Sequence, residues 1–309
     1  MSDFSVSIII ASYNCVNFIG KAIQSAIDQT GCDVEIIVID DASTDDTKGF
    51  VKGLNIPCLR YFRSPINKGP SHARNIALQM ATKEWVAILD ADDWLEPNRC
   101  RILIEYAKTH NLDVISDNQK LVDADSEAFI GIRSRNIPLL EKAAFPLRID
   151  YLTLIRNPAL GVLQPVFSRH LIERLRCFYD ESYIYGEDYY FLIKIVESGG
   201  CFGVVNMPLY NVRLRQGSLV SNRVKMYEGM VSIYEKLLSH ERANNNPVVI
   251  SSLASNISSA KKTIVYARVV DEVKRKNYLQ ALTNSLRYPV FFLQLPERVL
   301  TNVKKYLQN

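Results

Sequence analysis

Four strand-like runs, each followed by a polar signature and separated by stretches of helical period, govern what the first half of this chain can become. The runs are "SVSIIIASY", "VEIIVIDD", "CLRYFRS" and "WVAILD". Between the first two, "FIGKAIQSAIDQ" places Phe18, Ala22, Ile23, Ala26 and Ile27 on one helical face. "TDDTKGFVKGL" reads as a second helix with Ser43 as its cap, and "PSHARNIALQMA" as a third. Pro97 fits the first position of a helix, so "PNRCRILIEYA" is predicted to start there, with "DVISDNQKLV" as the next strand. Such alternation predicts an α/β fold with a mostly parallel central sheet flanked by helices and right-handed crossovers.

The pattern loosens from Ala124 to Gly161, where Pro138, Pro146 and Pro158 predict loops and short helices. "SRHLIERL" reads as a short helix. "GEDYYFLIKIVESGG" reads as a helix closed by Gly199 and Gly200, and "CFGVVNMPLYNVRL" returns as strand. From Lys225 onward the chain reads as helical, broken by "ANNNP".

In open α/β sheets ligands bind beyond the carboxyl ends of the strands, and there this sequence concentrates its chemistry. After the first run comes "ASYN", after the second "DDAS", after the third "NKGPSHARN", after the fourth "DADD". Tyr13 offers a flat face for a base, or is a half-buried strand-end aromatic. Asp41 can accept from a base N–H or make a turn. Arg74 can pair with a diphosphate or with a strand-end carboxylate. Asp90 and Asp92 can hold a divalent cation through oxygen, leaving Asp93 for local structure. The G-x-G-x-x-G of dinucleotide folds is missing after the first strand, and so is a P-loop. A metal on the acidic loop is then the available holder of nucleotide phosphates.

Composition excludes little but localises charge. The chain has 309 residues and a formal net charge of +4, too small to imply nucleic acid. From Asn222 onward there are fourteen Lys and Arg against six Asp and Glu, a surplus of eight positive charges, while the preceding part has 23 against 27, a deficit of four. The six cysteines form no CxxC pair and read as reduced core thiols rather than a zinc site. "MSDFSVSIII" lacks the basic region and long apolar stretch of a signal peptide, and no run approaches a membrane span. A cytoplasmic protein, soluble or peripheral on the inner face of the cell membrane, is expected.

The segments "SIIIASYN", "VIDDAS", "NKGPSHARN", "AILDADDW" and "FYDESYIYGEDYYF" together resemble family 2 glycosyltransferases of the GT-A fold. The resemblance spans Ser5 to Ser221 and implies several roles. Ala11, Tyr13 and Asp41 match positions that bind the nucleotide base, usually uracil. Arg74 matches an arginine near base and phosphates. Asp90 and Asp92 match the D-x-D acids, with Asp92 the ligand of Mn2+ or Mg2+. Asp188 matches the catalytic base, beside Glu187 as an acceptor-site or structural residue. The implied activity is inverting transfer of one sugar from a UDP-hexose to a saccharide acceptor, lipid-linked, in cell-surface polysaccharide synthesis. Two alternatives are a sugar nucleotidyltransferase, whose glycine-rich signature "ASYNCVN" does not supply, and a non-catalytic nucleotide- or sugar-binding module.

This chain departs from the family pattern at two places. Ala11 has no hydroxyl to offer. Where many relatives carry a histidine, "NVRLRQGSLVSN" has Arg213 and Arg215, which either meet the diphosphate or are exposed strand charge; Arg215 is taken as donor-binding. Ser218 and Ser221 stand where a loop closes over the donor. The Q-x-x-R-W signature of processive relatives is absent, which favours single transfers. The expected division is a catalytic domain over 1–221, with donor half 1–123 and acceptor half 124–221, and a helical extension over 222–309. In that extension Val290, Phe291, Phe292 and Leu295 stand among Arg287, Arg298, Lys304 and Lys305, a pattern that suits an anionic membrane surface or a packed helical subdomain. Acceptor choice is expected from 124–161 and the loop before Gly186.

Overall fold

The computed structural model describes residues 4–133, 137–142, 146–215 and 222–275, with 277, 279 and 283. Contacts divide the chain into two compact units, Met1–Gln216 and Gly217–Asn309.

The first unit opens with β1 (Ser5–Ser12), α1 (Ile19–Ile27), β2 (Asp33–Asp40), α2 (Thr47–Gly53), β3 (Leu59–Arg63), α3 (Pro70–Met80) and β4 (Trp85–Asp90). There follow β5 (Trp94–Leu95), α4 (Arg99–Thr109), β6 (Val114–Asp123), β7 (Phe129–Ile132), α5 (Leu139–Lys142), β8 (Leu147–Ile149) and α6 (Tyr151–Arg156). A 3-10 turn (Pro158–Val162), β9 (Val166–Ser168), α7 (Arg169–Leu175), α8 (Glu187–Glu197) and β10 (Phe202–Leu214) complete it.

The main sheet runs β3-β2-β1-β4-β9-β6-β10-β5. β1, β2, β3 and β4 are mutually parallel, as are β6 and β10. The sheet as a whole is mixed, because β9 runs antiparallel between β4 and β6 and the short β5, β7 and β8 pair antiparallel as well. These strands are two to four residues long, too short to show any period in the sequence. β1, β2 and β4 lie inside the sheet and are covered on both faces, which is why their sequences hold near-continuous apolar runs, whereas the edge strand β3 is largely exposed. Ile8, Ile10, Ile36, Val38, Ala87 and Leu89 share a core with Ile19, Ala22 and Ile23 of α1 and Leu103, Ile104 and Ala107 of α4.

Two helix starts differ from expectation. α2 begins at Thr47, because Asp45 Oδ1 accepts from the Thr47 N–H at 3.1 Å and its hydroxyl at 2.6 Å. Ser43 is occupied elsewhere: its Oγ accepts from the backbone N–H of Asn14 at 2.9 Å. α4 begins at Arg99 rather than Pro97; the Arg99 N–H closes a turn onto Glu96 O at 3.1 Å. The close of α8 is as expected, with the Gly200 N–H donating to Ile195 O at 2.9 Å. All six cysteines are free thiols.

The second unit is a helical hairpin, α9 (Arg223–Ala243) and α10 (Pro247–Lys274), joined through the expected Asn-rich turn. Asn222 and Asn246 cap the two helices through their side chains. Val231 packs on Ala260 and Ile264, and Lys261 pairs with Glu235 at 2.8 Å. Among the described residues no helix is long and apolar enough to cross a membrane. The basic and apolar residues singled out from Arg287 to Lys305, and Ser218 and Ser221, lie outside the described residues.

Candidate active site

Register sets the site. Ala11 stands opposite Ile39 on one side and Asp90 on the other, and Ser12 opposite Asp40. The parallel strands therefore end at one edge, and Tyr13, Asp41 and Asp92 lie just beyond it. The loops are laced together there. Asn14, in a left-handed conformation with φ 50°, accepts from the Thr44 N–H at 2.7 Å. Tyr13 is 46% exposed, its ring displayed at this edge.

Asp41 is buried and serves a turn. Its carboxylate accepts from the backbone N–H of Lys68 at 3.0 Å and of Gly69 at 2.7 Å. This fixes the turn that launches α3, where Gly69 takes a φ of 92° that L side chains rarely adopt. Asp40 beneath it accepts from the Tyr61 hydroxyl at 2.5 Å.

Arg74, buried on α3, has the carboxylate pairing of its two open alternatives. Its Nη2 donates to Asp90 Oδ1 at 3.0 Å, and its Nη1 to Glu187 Oε1 at 2.9 Å. Nη1 also lies 3.2 Å from Asp188 Oδ1. The guanidinium stands 5.3 Å from the centre of the Tyr179 ring. Gly186, at φ 80°, turns the chain into α8 and puts Glu187 and Asp188 in its first turn. Neighbouring Asn75 braces the approach, accepting from the Tyr179 N–H and donating to its carbonyl, both at 2.9 Å.

The acidic loop divides its three carboxylates by partner. Asp90 is engaged on both oxygens, by Arg74 and by Gln164 Nε2 at 2.6 Å, and its N–H donates to Tyr210 Oη at 3.0 Å. Asp92 Oδ2 accepts from Arg215 Nε at 2.6 Å, and its carbonyl from Arg213 Nε at 3.0 Å. Asp93 is buried and accepts from the Arg213 N–H at 2.8 Å, a structural role as expected. Burial pushes Asp90 up to about 6 against the pull of Arg74, with Asp188 and Asp92 adding to the rise. Burial likewise raises Asp188 to about 6, Arg74 opposing and Glu187 assisting. Asp93 rises well above the usual carboxylate range through burial and then the charges of Asp90 and Asp92.

The donor set suits a hard divalent cation, which takes carboxylate and phosphate oxygens. With Asp90 engaged twice, Asp92 is the acid placed to hold one. Its oxygen already draws one cation, the Arg215 guanidinium, and its side chain is 19% exposed.

Residues 7–156 match the model of glycosyl transferase family 2. The chain belongs to this family. It is a glycosyltransferase, and its fold is GT-A. It is 26% identical over 306 residues to the succinoglycan biosynthesis protein ExoO of Rhizobium meliloti (strain 1021), covering 97% of this chain and 86% of that protein. It is 28% identical over 226 residues to the Escherichia coli UDP-Glc:alpha-D-GlcNAc-diphosphoundecaprenol beta-1,3-glucosyltransferase WfgD, covering 73% and 83%. Among solved structures, Staphylococcus aureus TarS 1-349 with UDP-GlcNAc superposes with a TM-score of 0.67 at 21% identity, covering 90% of this chain and 79% of that one. The mannosyltransferase PcManGT of Pyrobaculum calidifontis, with GDP-Man and Mn2+, gives 0.57 at 18% identity, covering 94% and 86%.

In this family 2 chain the motif residues Ala11, Tyr13, Asp41, Arg74, Asp90, Asp92 and Asp188, with Arg215 from the segment that departs from the family pattern, share one sheet edge. Arg213 is not exposed strand charge. It is buried, donates to Ala124 O at 3.0 Å and Glu127 at 2.9 Å, and lies over the rings of Phe18 and Trp94. Gln164 escaped the sequence reading. Its signal was a single amide within the apolar "LGVLQPVF".

Proposed function

We propose that this glycosyltransferase moves one hexose from a UDP-sugar, with inversion, to a saccharide on a diphospholipid in cell-surface polysaccharide synthesis. The observation that carries the reading is the single guanidinium of Arg74, which gathers Asp90 from the acidic loop and Asp188 from the start of α8. Donor-side and acceptor-side carboxylates thereby meet at one point. The glucosyl transfer of WfgD from UDP-Glc to GlcNAc-diphosphoundecaprenol and the succinoglycan role of ExoO support the donor and acceptor classes.

Uracil stacks on Tyr13 beside the backbone of Ala11. Asp41 accepts the base N–H on a lone pair left beyond those used by Lys68 and Gly69. Arg74 orients Asp90 and Asp188 rather than gripping phosphate, and Arg215 meets the diphosphate. Asp92 would hold the divalent cation, which supplies Lewis-acid stabilisation of the leaving diphosphate. The proton of the acceptor hydroxyl passes to the Asp188 carboxylate as the oxygen bonds to the anomeric carbon. The bond to the diphosphate breaks on the opposite face, and UDP departs with its electron pair. Asp188, raised to about 6, is ionised in most molecules at neutral pH yet more basic than an ordinary aspartate, which suits a general base. The donor half 1–123 and the acceptor half 124–221 divide these tasks, except that Arg215 of the second half reaches the donor diphosphate.

The test is calorimetry of UDP with Mn2+, beside GDP, on wild type and Asp92→Asn. Binding of UDP that needs both metal and Asp92 supports the donor site. Preference for GDP would overturn the donor assignment, and no nucleotide binding by folded protein would overturn the whole reading. Transfer from UDP-glucose to a diphospholipid-linked sugar tests the acceptor class.

A further inference from the structure

Arg213 and Arg215 lie two residues apart at the end of β10 and both reach Asp92, yet they are held very differently. Arg213 donates to three oxygens, on Asp92, Ala124 and Glu127, and is sandwiched 5.3 Å from the Phe18 ring and 5.0 Å from the Trp94 ring. Its side chain is only 6% exposed. Among the described residues Arg215 has one hydrogen-bonded partner, Asp92 Oδ2 at 2.6 Å, and one ring, Phe18 at 5.1 Å. Its side chain is 23% exposed, with Leu214 the last strand residue before it. Arg213 bonds the Asp92 carbonyl, whereas Arg215 bonds the carboxylate itself.

We infer that Arg215 is an exchangeable counter-cation: it occupies the Asp92 carboxylate until a divalent cation takes that place, then turns to the diphosphate of the donor. The inference rests on the reading of Asp92 as the metal-holding acid. Arg215 holds only Oδ2 of Asp92, but a dication on either carboxylate oxygen would stand within a few ångströms of the guanidinium, and like charges that close repel strongly in a partly desolvated site. The acidic loop offers the dication no equal alternative. Asp90 is engaged by Arg74 and Gln164, and Asp93 is buried against the β10 backbone. Arg215 is also the one of the two arginines that can leave without dismantling the loop, since Arg213 keeps the Asp92 main chain in place. The consequence is ordered: metal alone competes with Arg215, whereas metal with a nucleoside diphosphate gives the displaced guanidinium a new anionic partner. Metal and nucleotide therefore favour each other's binding.

The experiment measures Mn2+ binding directly, by electron paramagnetic resonance of free Mn2+, on wild type, Arg215→Gln, Arg215→Lys and Asp92→Asn, without nucleotide and with UDP. Thermal melts establish that each variant is folded. Removing the competing guanidinium makes Arg215→Gln bind Mn2+ alone about five- to tenfold more tightly than wild type. The same variant binds UDP more weakly in saturating Mn2+, and Arg215→Lys falls between. If wild type binds Mn2+ through Asp92 but Arg215→Gln binds it equally or less well without nucleotide, the exchange is wrong while the metal site stands. If no protein binds Mn2+, or Asp92→Asn binds as well as wild type, the metal site and the exchange both fall.

Discussion

Arg74 Nη1 and Asp188 Oδ1 meet at 3.2 Å, one carried by α3 and the other by the first turn of α8. The same guanidinium holds Asp90 at 3.0 Å and Glu187 at 2.9 Å. Three acids from two distant parts of the chain thus depend on one buried cation. Gly186 makes this possible by turning α8 so that its first residues face the sheet edge.

Removal of that cation has a pH signature. Arg74→Ala leaves its carboxylates buried without a counter-charge, a loss of about 3–5 kcal/mol where they are ionised. Asp90 and Asp188 already stand at about 6 with Arg74 present, and without it they rise further. At pH 5 they are then neutral in the variant and the loss is smaller. Urea unfolding of Arg74→Ala and wild type at pH 8 and pH 5 measures this; equal losses at both would show that the network does not depend on charge.

With Asp188 as the proposed general base, the transfer rate follows the same carboxylate. Burial, opposed by Arg74, places Asp188 at about 6, so kcat/KM falls on the acid side of about pH 6 and levels above it. Asp188→Asn lowers kcat by about 10²–10⁴-fold, the usual worth of a general base, while UDP binding survives. An acid limb centred near pH 4 would mean that the proton goes to a group with an ordinary carboxylate pKa.

What the sequence made legible was the edge, not the interior contacts that organise it. "DDAS" and "DADD" stand out because charge follows an apolar run, and the parallel register then aligns them without further information. Arg74 was visible as a helix-borne arginine, but its pairing with Glu187 and Asp188 depends on where α8 returns. Arg213 read as either a diphosphate contact or exposed strand charge, because nothing local says that Phe18, Trp94 and Glu127 will close over it. β9 was hidden for a similar reason. Three residues carry no period, and its antiparallel place follows from long-range pairing with β4 and β6.

A second buried pair supports the site from below. Arg99 is fully buried, donates to Asp117 Oδ1 at 2.7 Å and 3.0 Å, and reaches Gln164 O at 2.6 Å. Gln164 in turn holds Asp90. Arg99→Ala strands the Asp117 charge and loses about 3–5 kcal/mol, whereas Arg99→Met with Asp117→Leu loses less than either single change. Chemical denaturation of the three variants provides the cycle; a double variant worse than both singles would show that the pair is a net stabiliser rather than a mutual dependence.

Asp93 and Asp92 adjoin in sequence but respond oppositely to amidation. Burial first, then the charges of Asp90 and Asp92, raise Asp93 well above its ordinary value in the folded protein. The folded state therefore keeps a proton that the unfolded chain has lost, and stability falls as pH rises from the unfolded value toward the folded one. Asn has the same shape, accepts from the Arg213 N–H through its carbonyl, and carries no such dependence. Asp93→Asn accordingly melts a few degrees above wild type at pH 8, with a smaller gain at pH 5, and retains UDP and Mn2+ binding. Asp92→Asn keeps its melting temperature to within a small change, because Arg215, partly exposed at the strand end, can turn its head to water once its partner is neutral, and on the proposed metal role of Asp92 it loses the metal. Thermal melts at the two pH values and calorimetry separate the two acids. Loss of nucleotide binding in folded Asp93→Asn would place Asp93 in the donor site after all.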